Sequence, residues 1–107
     1  MTDQFGESKD RIIVRVDPEI ADIVPGFLEN RQRDVGSLRN ALAQGDYTTV
    51  QIAGHGMKGS GSGYGFDAVT EIGRNIEEAA KRRDAEEAER WIGALEEYLA
   101  RVEVVYE

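Results

Sequence analysis

The sequence predicts an all-α protein, an antiparallel (up-down) four-helix bundle with a short N-terminal helix or extended segment. Apolar and small residues recur at intervals of three and four over most of the 107 residues, which is the period of one helix face. Short segments containing glycine, aspartate or proline separate these stretches, and tight turns place successive helices antiparallel. No segment repeats with a period of 20–50 residues, which excludes a solenoid.

The composition is that of one soluble globular domain with a modest core, at 40% apolar and 32% charged residues. The absence of cysteine excludes disulfides and thiolate sites. No apolar run reaches the roughly 18–20 residues that cross a bilayer, and the start is not a signal peptide. We therefore expect a cytoplasmic monomer without a membrane partner. The net charge of −8 argues against nucleic acid as the main partner.

The two ends of the chain differ from its helical centre. Residues 1–11 are polar and aperiodic, so we expect a flexible N-terminus followed by one domain over residues 12–107. Ile12–Val16 is rich in β-branched residues and predicts an extended segment, and Val102–Tyr106 resembles it. We expect two apolar straps that cover an end of the helical core, with pairing of the two segments as the alternative.

The first helical region begins in two steps. Asp17-Pro18-Glu19 has the acid and proline of a helix start and predicts a short turn through Ile23, after which Pro25 restarts or kinks the chain. The Gln44-Gly45-Asp46 segment ends the helix that follows and caps the next. Apolar residues mark the buried face of this helix: Phe27, Leu28, Val35, Leu38 and Leu42.

A third helical segment is predicted from about Tyr47 into a glycine-rich stretch that ends near Tyr64. His55, the single histidine, lies about 100° round the helix from inward-facing Gly54, on a partly exposed face. Positions +3, +4 and +7 from the histidine share its side of the helix: Lys58, Gly59 and Ser62. The inward stripe consists of Tyr47, Val50, Gly54, Met57, Gly61 and Tyr64.

The glycines at 54, 56, 59, 61 and 63 conflict with a helix, since each costs about 1 kcal/mol relative to alanine. Their sum, about 5 kcal/mol, is comparable to the stability of a small domain. Either the helix ends early or the glycines serve a purpose. Those at 54 and 61 face inward and allow close helix packing. Those at 56, 59 and 63 clear the surface around His55 for the backbone of another protein.

Two further helices complete the bundle. The first ends in Lys81-Arg82-Arg83, where the helix dipole favours positive charge. Asp84 with Glu87 three residues later resembles a capping box that starts the second. The buried stripes are Phe66, Val69, Ile72, Gly73, Ile76, Ala79 and Ala80, then Ala88, Trp91, Ile92, Leu95, Leu99 and Val102.

Nucleotide binding is one alternative for the glycine-rich stretch. Residues 54–59 satisfy G-x-G-x-x-G after the strand-like Thr48–Ile52, and Glu77 or Glu78 follows about twenty residues later. No second strand follows, however, because the remaining pattern is helical. Lys58 is followed by Gly59 rather than by serine or threonine, which argues against a Walker-type loop.

Other chemistries have little support. One histidine without cysteine leaves only carboxylates for a metal, and no serine or cysteine has a second histidine as its base. The remaining candidate is His55 itself, since neutral imidazole can accept a phosphoryl group where a cation stabilises the oxygens. Lys58, one helical turn away, is placed for that role. From residue chemistry alone, an exposed histidine without a function stays the leading interpretation.

The order of residues in this stretch resembles a known family. His55-Gly56-Met57-Lys58-Gly59-Ser60, with Gly65-Phe66 ten and eleven positions after the histidine, is similar to the histidine phosphotransfer (HPt) signature H-x-[hydrophobic]-K-G-[small]. The resemblance continues through Ile76-Glu77 and covers roughly residues 50–80. Tyr64-Gly65-Phe66 is especially similar to the phosphotransfer domain of chemotaxis histidine kinases. One departure is Gly56, where the family often has serine or alanine, which puts the continuity of this helix in question.

The resemblance implies a role for each matching residue. His55 would carry the phosphoryl group on its outward ring nitrogen, and Lys58 would stabilise that group. Glu77, 22 residues after the histidine, would accept a hydrogen bond from the other ring nitrogen and fix the tautomer. Gly59 would keep the surface clear for a receiver domain. Arg74 would add positive charge.

The implied protein is a phosphocarrier and not an enzyme, because no ATP-binding or kinase domain accompanies the motif. If the chain is complete, it resembles a stand-alone phosphotransfer protein that takes a phosphoryl group from a receiver aspartate or a sensor histidine kinase. It would bind no cofactor or metal, and Mg²⁺ would belong to the receiver. Docking would centre on His55, Gly59, Ser62 and nearby apolar residues. The alternative is a helical docking module that binds a receiver or kinase without being phosphorylated.

Overall fold

The computed structural model describes residues 11–107, which form four α-helices between two short strands. Each helix packs against its neighbours in the chain, and the first packs against the last, so the predicted all-α four-helix bundle is confirmed. The flexible N-terminus predicted for residues 1–11 lies, apart from residue 11, outside the described residues. The elements are β1 Ile12–Val16, α1 Val24–Ala43, α2 Tyr47–Ser60, α3 Asp67–Lys81, α4 Ala85–Arg101 and β2 Val102–Tyr106.

Short-range signals set the starts of three helices. The Asp17 carboxylate accepts a hydrogen bond from the Glu19 amide at 2.9 Å and starts a 3₁₀ turn, Pro18–Ile20, before α1. Asp46 caps α2, and Asp84 caps α4, each accepting an amide hydrogen bond from the residue three positions on, at 3.1 Å. These carboxylates satisfy amide groups that would otherwise lack a partner at a helix start.

Helix α2 runs into the glycine-rich stretch, as predicted, and ends there at Ser60, so the continuation to Tyr64 that the sequence left open does not occur. In a continuing α-helix the Ser62 amide would donate to the Lys58 carbonyl. Here the Thr70 hydroxyl of α3 lies between these two groups and forms a hydrogen bond with each. This hydroxyl accepts from the Ser62 amide at 2.8 Å and donates to the Lys58 oxygen at 3.1 Å. A 3₁₀ turn follows, and Gly65, at φ 91°, turns the chain into α3.

The two terminal segments pair with each other, so the preferred interpretation of separate straps was wrong. β1 and β2 form a parallel ribbon in which Ile12 pairs with Val102 and Val16 with Tyr106. Val102 is therefore a strand residue and not the end of the last helical stripe. Pairing satisfies the backbone groups of two segments that are each too short to be stable alone. Two ion pairs join the strands, Arg11–Glu103 at 3.1 Å and Arg15–Glu107 at 3.2 Å.

The core lies between the four helices and is continuous with the inner side of the ribbon. Phe27 of α1 stacks on Phe66 with ring centroids 5.3 Å apart and contacts Tyr64 at 4.6 Å, which fastens the turn after α2 to α1. One charged residue of the described chain, Glu77, is buried with the apolar residues. The largest fully buried side chains are Phe66, Leu38, Met57, Ile76, Ile92, Leu95, Val24, Val50 and Val69.

Candidate functional site

Helices α2 and α3 touch through their backbones. A β-carbon added at Gly54 would lie 2.7 Å from the Glu77 nitrogen, and one added at Gly61 would lie 2.6 Å from the Thr70 nitrogen. On the opposite helix, a β-carbon at Gly73 would lie 2.6 Å from the Lys58 nitrogen. The prediction that glycines 54 and 61 allow close packing is confirmed. The short distance between the helices is what brings residues 55 and 77 within reach of each other.

His55 presents most of its ring to solvent, with 69% of its side chain exposed. Its Nδ1 lies 3.0 Å from Oε2 of Glu77. An ionised carboxylate only accepts hydrogen bonds, so in the neutral ring this contact places the proton on Nδ1. Nε2 then carries the lone pair on the outward side of the ring. The contact thus leaves Nε2, the ring nitrogen away from the buried carboxylate, without a proton.

Glu77 is the buried centre of the site, with 6% of its side chain exposed. Lys58 Nζ lies 2.9 Å from Oε1, and this ammonium lowers the pKa of Glu77 below its ordinary value. Burial acts in the opposite direction, and His55 adds to the lowering. The carboxylate is therefore ionised at neutral pH, as its contact with the histidine requires.

Lys58 and Glu77 form a close ion pair at the edge of the buried site. Within residues 11–107, Oε1 of Glu77 is a buried side-chain oxygen that accepts no hydrogen bond, although the ammonium is close. A second anion can reach this ammonium from solvent, because 35% of the Lys58 side chain is exposed.

Lys81 belongs to the same site, although the sequence interpretation placed it only at a helix end. Its Nζ lies 3.8 Å from Oε2 of Glu77. The signal was present in the sequence, because residues four apart on a helix are neighbours. Lys81 also lines a recess of about 350 Å³ with Gln51, Ile52, His55 and Glu77.

Two predicted binding residues do not reach the histidine. Arg74 donates to Glu71 at 2.6 Å and takes no part in the contacts of Glu77. Ser62 lies in the turn after α2, where its amide and hydroxyl both engage Thr70. The structure thus groups His55, Lys58 and Glu77, and leaves Arg74 and Ser62 outside this group.

The surface beside His55 is smooth and partly apolar. A β-carbon added at Gly56, Gly59 or Gly63 would meet no atom within 4 Å, so these positions leave open space. Ile52, one turn before the histidine, is 67% exposed. A groove of about 570 Å³ runs between α1 and α2 beyond Gly56 and is bordered by half-exposed Ile23. Small and apolar residues in this arrangement suit contact with another protein.

Two classes of feature are absent from the part of the chain that the structure describes. No group of three or more histidine, aspartate or glutamate side chains is arranged to hold a metal ion. No helix there is long and apolar enough to cross a membrane.

Comparison with known families agrees with this geometry. The family model of the Hpt domain matches residues 22–104, which include all four helices. The chain belongs to the Hpt domain family. Hpt domains are histidine phosphotransfer modules of phosphorelays; they carry no kinase domain and interact with kinases and receiver domains. Searches of curated proteins and of solved structures found no match.

The match extends over the whole bundle and therefore beyond the motif around the histidine. Strand β1 lies before its first residue. The special similarity to chemotaxis histidine kinases and the single domain over residues 12–107 stay predictions.

Proposed function

We propose that this Hpt protein is a cytoplasmic, monomeric phosphocarrier that accepts a phosphoryl group on Nε2 of His55. The observation that carries the proposal is the 3.0 Å contact between Nδ1 of an exposed His55 ring and the buried Glu77 carboxylate. It supports a fixed tautomer with the reactive lone pair directed outward.

The transfer step follows from that arrangement. The Nε2 lone pair attacks the phosphorus of a receiver phospho-aspartate, and the bond between phosphorus and the aspartyl oxygen breaks, which releases the aspartate carboxylate. The product ring is cationic, and its Nδ1 proton stays hydrogen-bonded to Glu77. The buried carboxylate therefore stabilises the charge that develops on the ring. The reverse step returns the group to a receiver.

Lys58 stabilises the phosphoryl oxygens in this proposal. The ammonium contacts the same carboxylate as the histidine and is partly exposed, so it can interact with an incoming phosphoryl group from the solvent side. Lys81 then remains near Glu77 as its second cation. Arg74 contributes only a more distant positive charge.

The receiver, or a sensor kinase, supplies the other half of the reaction. Mg²⁺ binds to the receiver, and this chain contributes the imidazole and a docking surface. Gly56 and Gly59 leave open space on that surface, Ser62 is exposed in the turn beyond them, and exposed Ile52 provides an apolar contact. Contact of two backbones at the glycines brings the donor phosphorus within reach of Nε2.

The test is incubation with a receiver domain phosphorylated by labelled acetyl phosphate. Wild type is expected to take up a label that is acid-labile and base-stable, as phosphohistidine is, and His55→Gln is expected to take up none. Equal labelling of His55→Gln would refute the assignment. If wild type binds the receiver but takes up no label, the protein is a docking module without phosphotransfer.

A further inference from the structure

Most of the cations in the part of this acidic protein that the structure describes have a carboxylate partner. Ten of the lysines and arginines between residues 11 and 107 have a carboxylate partner. Arg82 and Arg83 are the exceptions within that range, since neither forms an ion pair. On a chain of net charge −8, two adjacent arginines without carboxylate partners form a local positive site.

The local structure explains why these arginines stay unpaired. Two carboxylates of the neighbouring turns are engaged as helix caps, Asp84 at α4 and Asp46 at α2. Arg83 adopts the left-handed conformation, with φ at 55°, and its guanidinium lies over the ring of Tyr47 with 5.5 Å to the centroid. Arg82 is exposed beside it.

This pair borders the face that carries the histidine. Lys81 precedes Arg82 and lines the recess beside His55. Tyr47, beneath Arg83, lies eight residues before His55 on the same helix, which corresponds to about 12 Å along its axis. A standard interface covers about 800 Å² per partner, or a disc of roughly 16 Å radius. A partner centred on His55 therefore reaches the turn between α3 and α4.

We infer that Arg82 and Arg83 are a docking site for an acidic surface patch of the protein that exchanges the phosphoryl group with His55. The inference rests on the proposed function. Unpaired charge at the rim of an interface steers encounter and sets orientation, and contributes less to the chemistry at the centre. The glycines and Ile52 provide the contact, and the arginines select and align an acidic partner.

The experiment compares three proteins as acceptors from a receiver domain phosphorylated by acetyl phosphate. They are wild type, the double variant Arg82→Gln/Arg83→Gln, and Arg15→Gln/Arg90→Gln. The last removes the same charge from two exposed, ion-paired arginines. The second-order rate constant is measured at about 0.05 M and about 0.5 M salt, on either side of physiological screening. At low salt the first double variant should be about 10-fold slower than wild type.

The difference should nearly vanish at high salt, and the maximal rate at saturating receiver should stay unchanged. The matched variant should remain within about 2-fold of wild type. Arg82→Glu, which leaves the contact of Arg83 with Tyr47 intact, should be slower still at low salt. Phosphorylation by the small donor phosphoramidate needs no docking, and its rate should be the same for all the proteins.

Equal slowing by both double variants, or none by the first, would overturn the inference and leave the proposed function intact. A loss of phosphoramidate labelling in the first variant would overturn it too, because the arginines would then act on the site itself. Failure of wild type to accept from any receiver would instead refute the proposed function, and the inference with it.

Discussion

At the scale of single residues, Glu77 connects His55 to both lysines. Its Oε2 fixes His55, and its charge holds Lys58 and Lys81. Glu77→Gln keeps the shape but removes the charge. Its amide oxygen can still accept from Nδ1, but its amide nitrogen can donate to Nδ1 instead, which a carboxylate cannot do. Donation favours the tautomer with the proton on Nε2, which is not nucleophilic.

Glu77→Gln should therefore accept a phosphoryl group roughly 10 to 100-fold more slowly than wild type, the range found when the partner that orients an active imidazole is lost. Single-turnover labelling by phosphoramidate measures this rate without a docking partner. Glu78→Gln, an exposed neighbour, is the control and should react like wild type. An unchanged rate for Glu77→Gln would show that the carboxylate does not select the reactive tautomer.

The same carboxylate links stability to pH. Lys58 lowers the pKa of Glu77 from the ordinary value of 4.5, against the effect of burial. A group with a lowered folded pKa contributes stability above its unfolded pKa and loses it as pH falls through the folded pKa. Thermal unfolding followed from about pH 7 to about pH 2 should show wild type losing stability below 4.5, and Glu77→Gln should lose less. Parallel curves for the two proteins would contradict this linkage.

At the scale of elements, the contact between α2 and α3 depends on glycine. A β-carbon at Gly73 would lie 2.7 Å from the Met57 β-carbon and 2.8 Å from the Gly54 oxygen. Gly73→Ala should therefore destabilise the fold by about 1–3 kcal/mol, as overpacking does. It should also separate Nδ1 of His55 from Glu77, which a changed imidazole NMR signal would report.

Gly36→Ala is the matched substitution, since the same change in α1 meets no atom within 4 Å. It should stabilise the protein by up to about 1 kcal/mol through helix propensity. Chemical denaturation of both variants measures the two changes. A Gly73→Ala protein as stable as wild type would mean that the helices separate without cost.

The end of α2 depends on a hydroxyl from another helix. Thr70→Val keeps the shape and removes the bridge between the Ser62 amide and the Lys58 carbonyl. Losing two hydrogen bonds, each contributing about 0.5–1.5 kcal/mol, should cost about 1–3 kcal/mol and fray the turn after Lys58. Hydrogen exchange at the Ser62 amide should accelerate, and Thr70→Ser should restore the protection. Thr48→Val, on an exposed face, should leave it unchanged. Fast exchange in Thr70→Ser as well would assign the effect to the lost methyl group.

At the scale of the whole molecule, local sequence signals predicted the four-helix bundle. Contacts between residues distant in the sequence determine the end of α2 and the pairing of the two strands. Asp46 and Asp84 act within three residues, so their helix starts were readable. The end of α2 was not, because Thr70 lies eight residues beyond the amide that it engages. The pairing of β1 with β2 was left open, since a short apolar run fits either a strap or a strand.

In the site, too, some contacts were predicted from the sequence and others were not. The order of residues predicted the grouping of His55, Lys58 and Glu77, which the structure brings together. The physical cause of this grouping is the backbone contact at Gly54 and Gly73, which fixes the distance between α2 and α3. The place of Lys81 in the site was not predicted, because the helix dipole alone is enough to explain a lysine at the end of a helix. Arg74 was included for its charge alone, and nothing in the sequence revealed its pairing with Glu71.

The parallel ribbon also determines how the domain bears tension. Residue 12 is at the start of β1 and residue 106 at the end of β2, on opposite ends of paired strands that run the same way. A pull applied at these two positions loads all the hydrogen bonds between the strands together, in shear, and not one after another as in unzipping. The ribbon therefore resists a pull applied at these two positions. The helices, with the histidine, bear the force only after the hydrogen bonds of the ribbon have broken.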